Sequence, residues 1–342
     1  MAIWNATSTE WFHSGAAFRR LSRDFVVPRR WESYTRPEVR GGEHRIHWQC
    51  RLWGNYRVRK ITDEEIAFFD ENGFVICRDV LHQGELENVR AETQRLIDRV
   101  LEGGTREDEM CGRGPEGVPY YLTYLHSQPN DFSLRLLAHP FVGDLLHRMV
   151  GPDFVPCYEA LVFKTPGNGS SVPWHRDGNP VEGNERVFNI DIYPDVSTVE
   201  NSCVWCVPGS HLWDVPQATE WVRKGQEDFD APQAIGAVPA ELGAGDVLLH
   251  HVKVLHGSDS NRSDQLRRVI YFDNRAWSWN EKYRWFGDEV MEKRARLYQH
   301  ALHVRRENAY DEDDQLMEYQ PPAKFPTWDA GDAIDLESPR DA

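Results

Sequence analysis

Beyond Asp153 the chain breaks into short apolar runs separated by turns bearing glycine and proline, the texture of a β-sandwich or barrel. The runs are Val155–Phe163, Val187–Tyr193, Cys203–Val207, Val247–His251 and Val269–Phe272. Strands this short cannot bury an apolar face alone, so they must close on one another. Helical patterns flank them. Thr62-Asp63-Glu64-Glu65 reads as a helix start, with Thr62 as cap and Glu65 in the capping-box position, and Asn72-Gly73 as its end. Phe74–Cys77 follows as a short strand, and Gly84–Leu101 as an amphipathic helix burying Leu86, Val89, Leu96, Ile97 and Val100. Gly103–Gly117 reads as a loop, and helix returns over residues 281–309. The expected class is α+β, mostly β with flanking helices.

The 342 residues, 40% of them apolar and including 13 tryptophans, are enough for a sizeable core. The first 60 residues are arginine-rich, net positive and aperiodic, and read as an arm packed on the core by Trp4, Trp11, Trp31, Trp48 and Trp53. Residues 310–342 read as an irregular acidic tail. The oppositely charged ends leave a homo-oligomer open, although solvated termini account for them equally well. Mean hydropathy is -0.64 and no apolar run reaches 18 residues, which excludes a transmembrane helix. The start lacks a basic region followed by an apolar stretch, so the expected location is cytoplasmic. Six cysteines are then expected as buried thiols, with Cys203 and Cys206 in a strand rather than in a redox or zinc motif. A net charge of -16 argues against nucleic acid or anionic membrane as a partner.

Pro173-Trp174-His175-Arg176-Asp177-Gly178 carries the chemistry. In a strand, residues i and i+2 share a face, so one imidazole and one carboxylate can converge. His256, 81 residues after His175, would add a second imidazole from a later strand. Two histidines and one carboxylate form the facial triad of non-haem Fe(II) oxygenases, with open positions for ligands.

These residues sit within a longer pattern. It runs from Ile66-Ala67-Phe68-Phe69-Asp70-Glu71-Asn72-Gly73-Phe74-Val75 through Leu161–Gly167 to Trp174–Asp177. It continues with Glu200-Asn201, Val207–His211, Gly245–His250, His256-Gly257-Ser258, Asn261-Arg262-Ser263 and Arg267. Over residues 61–280 it resembles the phytanoyl-CoA dioxygenase family of Fe(II)/2-oxoglutarate oxygenases.

That resemblance implies a double-stranded β-helix core (jelly-roll, cupin-like) with iron at the mouth of the barrel, followed by a helical extension over 281–309. It selects His256 over the neighbouring His250 and His251 as the third ligand, and makes His211 part of a structural turn. It places Arg267, 11 positions after His256, on the distal carboxylate of 2-oxoglutarate, with Ser258 as hydroxyl partner. A planar guanidinium fork suits a carboxylate. Lys164 and Asn189 are further candidates for the cosubstrate, with Lys164 reading equally well as a surface lysine. Arg268 should face the other side of the strand, and Arg262 should lie on a turn.

The implied reaction consumes 2-oxoglutarate and O2, releases succinate and CO2, and oxidises a C–H bond of a small-molecule substrate. Related halogenases replace the carboxylate ligand with a small residue. Asp177 is present, so hydroxylation is the default outcome, with desaturation, ring formation and epimerisation as variants. A tailoring role in secondary metabolism is expected, with the arm, Asn179, Trp277 and Trp279 as candidate pocket residues. Two alternatives are a non-oxidative metal enzyme of cupin type, which does not need Arg267, and a non-catalytic β-sandwich binding protein.

Overall fold

The structure is a computed structural model describing residues 59–104, 111–114, 117–123, 125–128, 131–167, 171–178, 180–225, 232–310 and 316–336. Apart from Arg59 and Lys60, the proposed arm lies outside the described residues, as do Asn179 and the last part of the tail.

Helix α1 (Asp63–Asn72) opens the described chain with the expected capping box, Thr62 Oγ1 accepting from Glu65 N while the Glu65 side chain accepts from Thr62 N. It closes on Gly73, whose φ of 79° is left-handed. Glycine is required there for a second reason: a Cβ on Gly73 would lie 2.5 Å from His211 Nδ1. Strand β1 (Phe74–Cys77) and helix α2 (Gln83–Leu101) follow.

Gly103–Gly117 is not loop throughout. Cys111–Arg113 forms β2, an edge strand on β3 (Pro119–Thr123). Its three residues are too few to show a period, and only β3 beside it makes it a strand. Helices α3 (Phe132–Leu137) and α4 (Pro140–Met149) precede β4 (Val155–Lys164). Next come β5 (Val172–His175), β6 (Phe188–Ile192), β7 (Val204–Cys206), α5 (Val215–Gly225) and β8 (Val238–Ala240). Strands β9 (Val247–His251), β10 (His256–Ser258) and β11 (Arg267–Arg275) complete the β region. The single helix expected over 281–309 is two, α6 (Trp277–Tyr283) and α7 (Asp288–Glu307). Arg284, left-handed at φ 50°, ends the first of them.

Among the described residues the strands form two antiparallel sheets. The larger has the order β1-β9-β6-β11-β4-β3-β2, the smaller β5-β10-β7-β8. This is the jelly-roll class expected, α+β with flanking helices. Alternate residues of the large sheet, among them Leu161, Phe163, Ile270 and Phe272, enter a core shared with α2, α3, α4 and α7. Buried ion pairs Arg294–Glu159 and Arg305–Glu85 tie α7 to β4 and α2. The described part of the acidic tail is irregular but anchored, with Phe325 against Trp277 and Tyr319 Oη donating to Phe154 O. No described helix is long and apolar enough to cross a membrane.

Candidate active site

Between the sheets lies a cavity of about 520 Å³ lined by His175, Asp177 and His256 together with Arg267, Ser258 and Asn189. Its position follows from register. Strand β10 pairs with β5 so that His256 faces His175 directly, and the two rings lie 4.2 Å apart centre to centre. Trp174, buried against Trp221, fixes β5 from behind.

Both histidines are oriented in the same way. Nδ1 of His175 donates to Pro173 O at 2.8 Å, and Nδ1 of His256 to Val254 O at 3.0 Å. That tautomer leaves both Nε2 lone pairs directed inward. Both face Asp177 Oδ1, at 3.6 Å from His175 and 4.0 Å from His256.

Asp177 is not carried by the strand as the i, i+2 argument assumed. Strand β5 ends at His175, and Asp177 is held instead by its own N–H donating to Val252 O at 2.8 Å. Its Oδ2 accepts from Asn189 Nδ2 at 2.8 Å and lies 3.4 Å from His250 Nε2. His250 Nδ1 is in turn 2.6 Å from buried Asp191 Oδ2. Burial works against the Asp177 charge, but the surrounding imidazoles outweigh it and hold the carboxyl well below its usual range. Burial, with His175 adding to it, pushes His256 down to about 3, so its imidazole is neutral. Burial also opposes a charge on His250, yet Asp191 and Asp177 raise it to about 10.

The three donor atoms all lie within 4.8 Å of one another. Ligands about 2.1 Å from one ion at right angles stand about 3 Å apart, so a small inward movement closes the site on a metal. Two imidazoles and one ionised carboxylate fit Fe(II), with one face open towards the cavity.

Arg267 begins β11 and is buried. Its Nε donates to Ser197 Oγ at 3.3 Å, its Nη2 to Tyr193 Oη at 3.4 Å, and its guanidinium lies over the Tyr193 ring. Opposite it in register is Lys164, which is 2% exposed rather than a surface lysine. Lys164 Nζ donates to Ser258 Oγ at 2.8 Å and to Asp259 O. Neither cation has a carboxylate partner among the described residues. Burial first, and Arg267 second, push the Lys164 ammonium well below its ordinary value.

Other expectations are placed as follows. Arg268 faces the far side of the sheet, bidentate on Asp195 at 2.6 and 2.7 Å. Arg262 is exposed beside Asp259, and His211 Nε2 lies 3.2 Å from Asp70 O. Cys203 and Cys206 are buried free thiols. Asn189 lines the cavity, but its amide nitrogen is directed at Asp177 rather than at a ligand. Trp277 and Trp279 do not line this cavity. Trp277 packs on Phe325, and Trp279 Nε1 donates to Pro180 O.

Sequence reasoning gave His250 no role beside Asp177 and missed Asp191, Tyr120, Tyr121, Tyr158, Tyr271 and Asp273, all of them but Asp191 lining the cavity. A signal for two of them was present. Stepping by two from Arg267 along β11 puts Tyr271 and Asp273 on its face.

A jelly roll with a two-histidine, one-aspartate set beside an unpaired buried arginine defines the class of non-haem Fe(II)/2-oxoglutarate oxygenases. The model of the family described as phytanoyl-CoA dioxygenase (PhyH) matches residues 69–269, and the chain belongs to that family. It is therefore an Fe(II)/2-oxoglutarate-dependent dioxygenase. It is 31% identical over 273 residues to the phytanoyl-CoA dioxygenase domain-containing protein 1 of Danio rerio, covering 64% of this chain and 93% of that one. Among solved structures it resembles AviO1 from Streptomyces viridochromogenes Tue57, with TM-score 0.53 and 29% identity over 65% of this chain and 96% of that one. The non-haem alpha ketoglutarate dependent epimerase SnoN from nogalamycin biosynthesis shares the fold, with TM-score 0.51 and 22% identity over 62% of this chain and 79% of that one.

Proposed function

We propose that His175, Asp177 and His256 hold the Fe(II), and that Arg267 and Ser258, with Lys164 behind them, receive the distal carboxylate of 2-oxoglutarate. The observation that carries this reading is the buried Arg267 guanidinium, with Lys164 opposite it in register and no salt bridge to either among the described residues. An unpaired buried charge is costly, and a dicarboxylate entering from the cavity supplies the missing partner.

The bound metal supplies O2 activation coupled to oxidative decarboxylation of the cosubstrate. The chain's own residues do the positioning. Nδ1–H donation to backbone carbonyls fixes both imidazoles. Asn189 occupies Asp177 Oδ2 and so directs Oδ1 inward. Ser258 accepts from Lys164, which turns its own hydroxyl hydrogen towards the cavity. The tyrosine-lined wall excludes water from the reacting C–H bond.

Hydroxylation of a small, natural-product-type substrate in the cytoplasm is the reading favoured for the reaction. The cavity volume suits a small ligand, the net charge of -16 disfavours a polyanionic CoA ester, and the described cysteines are free thiols. SnoN, named for a biosynthetic pathway, supports the natural-product assignment, and its epimerase activity marks one variant of the same chemistry. A non-oxidative cupin-type enzyme or a binding scaffold has no use for a buried guanidinium left without a salt bridge beside the cavity.

The test is an anaerobic Fe(II) titration with and without 2-oxoglutarate, watching for the visible charge-transfer band of the chelate. The band should appear only with both present and should be lost in Arg267→Leu at wild-type 2-oxoglutarate concentrations. A band of full strength in His256→Ala would remove the metal assignment.

A further inference from the structure

We infer that Asp273, set among Tyr120, Tyr121, Tyr158 and Tyr271, is the substrate anchor of this cavity, and that it receives an N–H or O–H donor, an ammonium or a hydroxyl, on the substrate. The inference rests on the proposed metal and cosubstrate site and names the chemistry of what binds beside it.

Register places Asp273. On the inner face of the large sheet, Tyr158, Asp273, Asn189 and His250 form one cross-strand row over β4, β11, β6 and β9. Asn189 donates to the metal-site carboxylate, so Asp273 stands one strand away from the group that holds Asp177. Arg267 lies six residues back along β11, about 20 Å at roughly 3.3 Å per residue. The cosubstrate's carboxylate and Asp273 therefore sit at opposite ends of the strand, with the ligand triad's row near Asp273.

The chemistry of this end is that of an acceptor. Arg275 pairs with Asp273 Oδ1 from outside the cavity, where it is held under the Trp279 ring. Oδ2 has no protein hydrogen-bond donor among the described residues, and the side chain is 15% exposed. Burial pushes the carboxyl up to about 6 against the pull of Arg275, so it is ionised at neutral pH. Tyrosine faces beside a carboxylate favour a cationic or hydroxylated group through their π-electrons and phenol oxygens. Arg267 is the only lysine or arginine lining the cavity among the described residues, and the cosubstrate uses it. The positive groups at the Asp273 end are already paired, Arg275 with Asp273 and His250 with Asp191 and Asp177, so a substrate carboxylate or phosphate is disfavoured there.

The test uses three probes of one shape, cyclohexylmethylamine, cyclohexylmethanol and cyclohexanecarboxylate, added anaerobically to the full chain loaded with Fe(II) and 2-oxoglutarate. The readout is perturbation of the charge-transfer band. The amine, or the amine and the alcohol, should shift the band while the carboxylate does not. A response to the amine alone identifies an ammonium, and a response to both identifies a neutral donor. Asp273→Asn keeps an oxygen for Arg275 and should weaken the response about tenfold or more, as expected for a hydrogen bond to a charged group. Its unshifted band without probe serves as the folding control. Tyr158→Leu, which leaves the Asp273–Arg275 pair intact, should weaken the amine response several-fold. An equal response to the carboxylate, silence from both amine and alcohol, or an unchanged response in Asp273→Asn overturns the inference. Absence of the band from the unsubstituted protein overturns the metal-site reading first, and the inference with it.

Discussion

Asn189 Nδ2 donates to Asp177 Oδ2 at 2.8 Å, which leaves Oδ1 as the carboxylate oxygen facing both histidine Nε2 atoms. One amide thus decides which oxygen is free to bind. Asn189→Ala should weaken Fe(II) affinity about tenfold or more, the usual effect of losing a partner behind a ligand. Equilibrium dialysis under argon measures it. An affinity equal to wild type would mean that Asp177 holds its orientation through His250 and Val252 alone.

Arg267 and Arg268 are adjacent and equally basic, yet they belong to different parts of the protein. Arg267→Leu should raise the apparent KM for 2-oxoglutarate by about tenfold or more, because a charge-assisted contact contributes roughly 1.5–3 kcal/mol. Arg268→Leu should leave that KM near wild type and lower Tm instead, since it leaves the partly buried Asp195 only Arg90, 3.7 Å away. Steady-state kinetics and thermal melts on both variants separate the two effects.

His126 gives the fold a pH dependence of its own. Its Nδ1 lies 2.9 Å from Ser133 Oγ, and its Nε2 lies 3.5 Å from Glu159, which also binds Arg294. Burial pushes it down to about 4, with Glu159 opposing. In the unfolded chain a histidine titrates near about 6.5, so the unfolded state binds the extra proton between these values. The stability held by a neutral His126 is fully present above pH 6.5 and is lost as pH falls towards 4. His126→Gln should flatten Tm against pH within that window, and an unaltered profile would assign the acid sensitivity to other groups.

Gly73→Ala should destabilise the protein by more than the roughly 1 kcal/mol of a left-handed alanine, because its Cβ would also meet the His211 ring. Chemical denaturation of Gly73→Ala and of Gly73→Ala with His211→Ala separates the two causes. The second substitution should recover the steric part and leave the backbone part.

The order of His175, Asp177, His256 and Arg267 was legible because each lies beside a strand end in a recognisable pattern. Which nearby histidine does what was less legible. His250 and His256 both point inward, but β9 pairs His250 with Asn189 while β10 sets His256 opposite His175. Register between distant strands decides this, and no local period reveals it. Lys164 could be read as a surface residue because its strand lies against β11 only in the folded sheet. Asp177 stands beside the two histidines for a reason the local pattern did not hold, since a backbone bond to Val252 does what a continuing strand was expected to do. The break between α6 and α7 was hidden because an arginine, not a glycine, takes the left-handed turn.

Arg267 and Lys164 face each other across β4 and β11, two basic side chains buried without a salt bridge among the described residues. The binding energy of a dianion is therefore shared with the fold. At a concentration one hundred times its Kd, a ligand that binds only the native state adds about 2.7 kcal/mol to stability. The lifetime of this polypeptide against unfolding thus becomes a gauge of cosubstrate supply, rising and falling with 2-oxoglutarate even where no substrate is turned over.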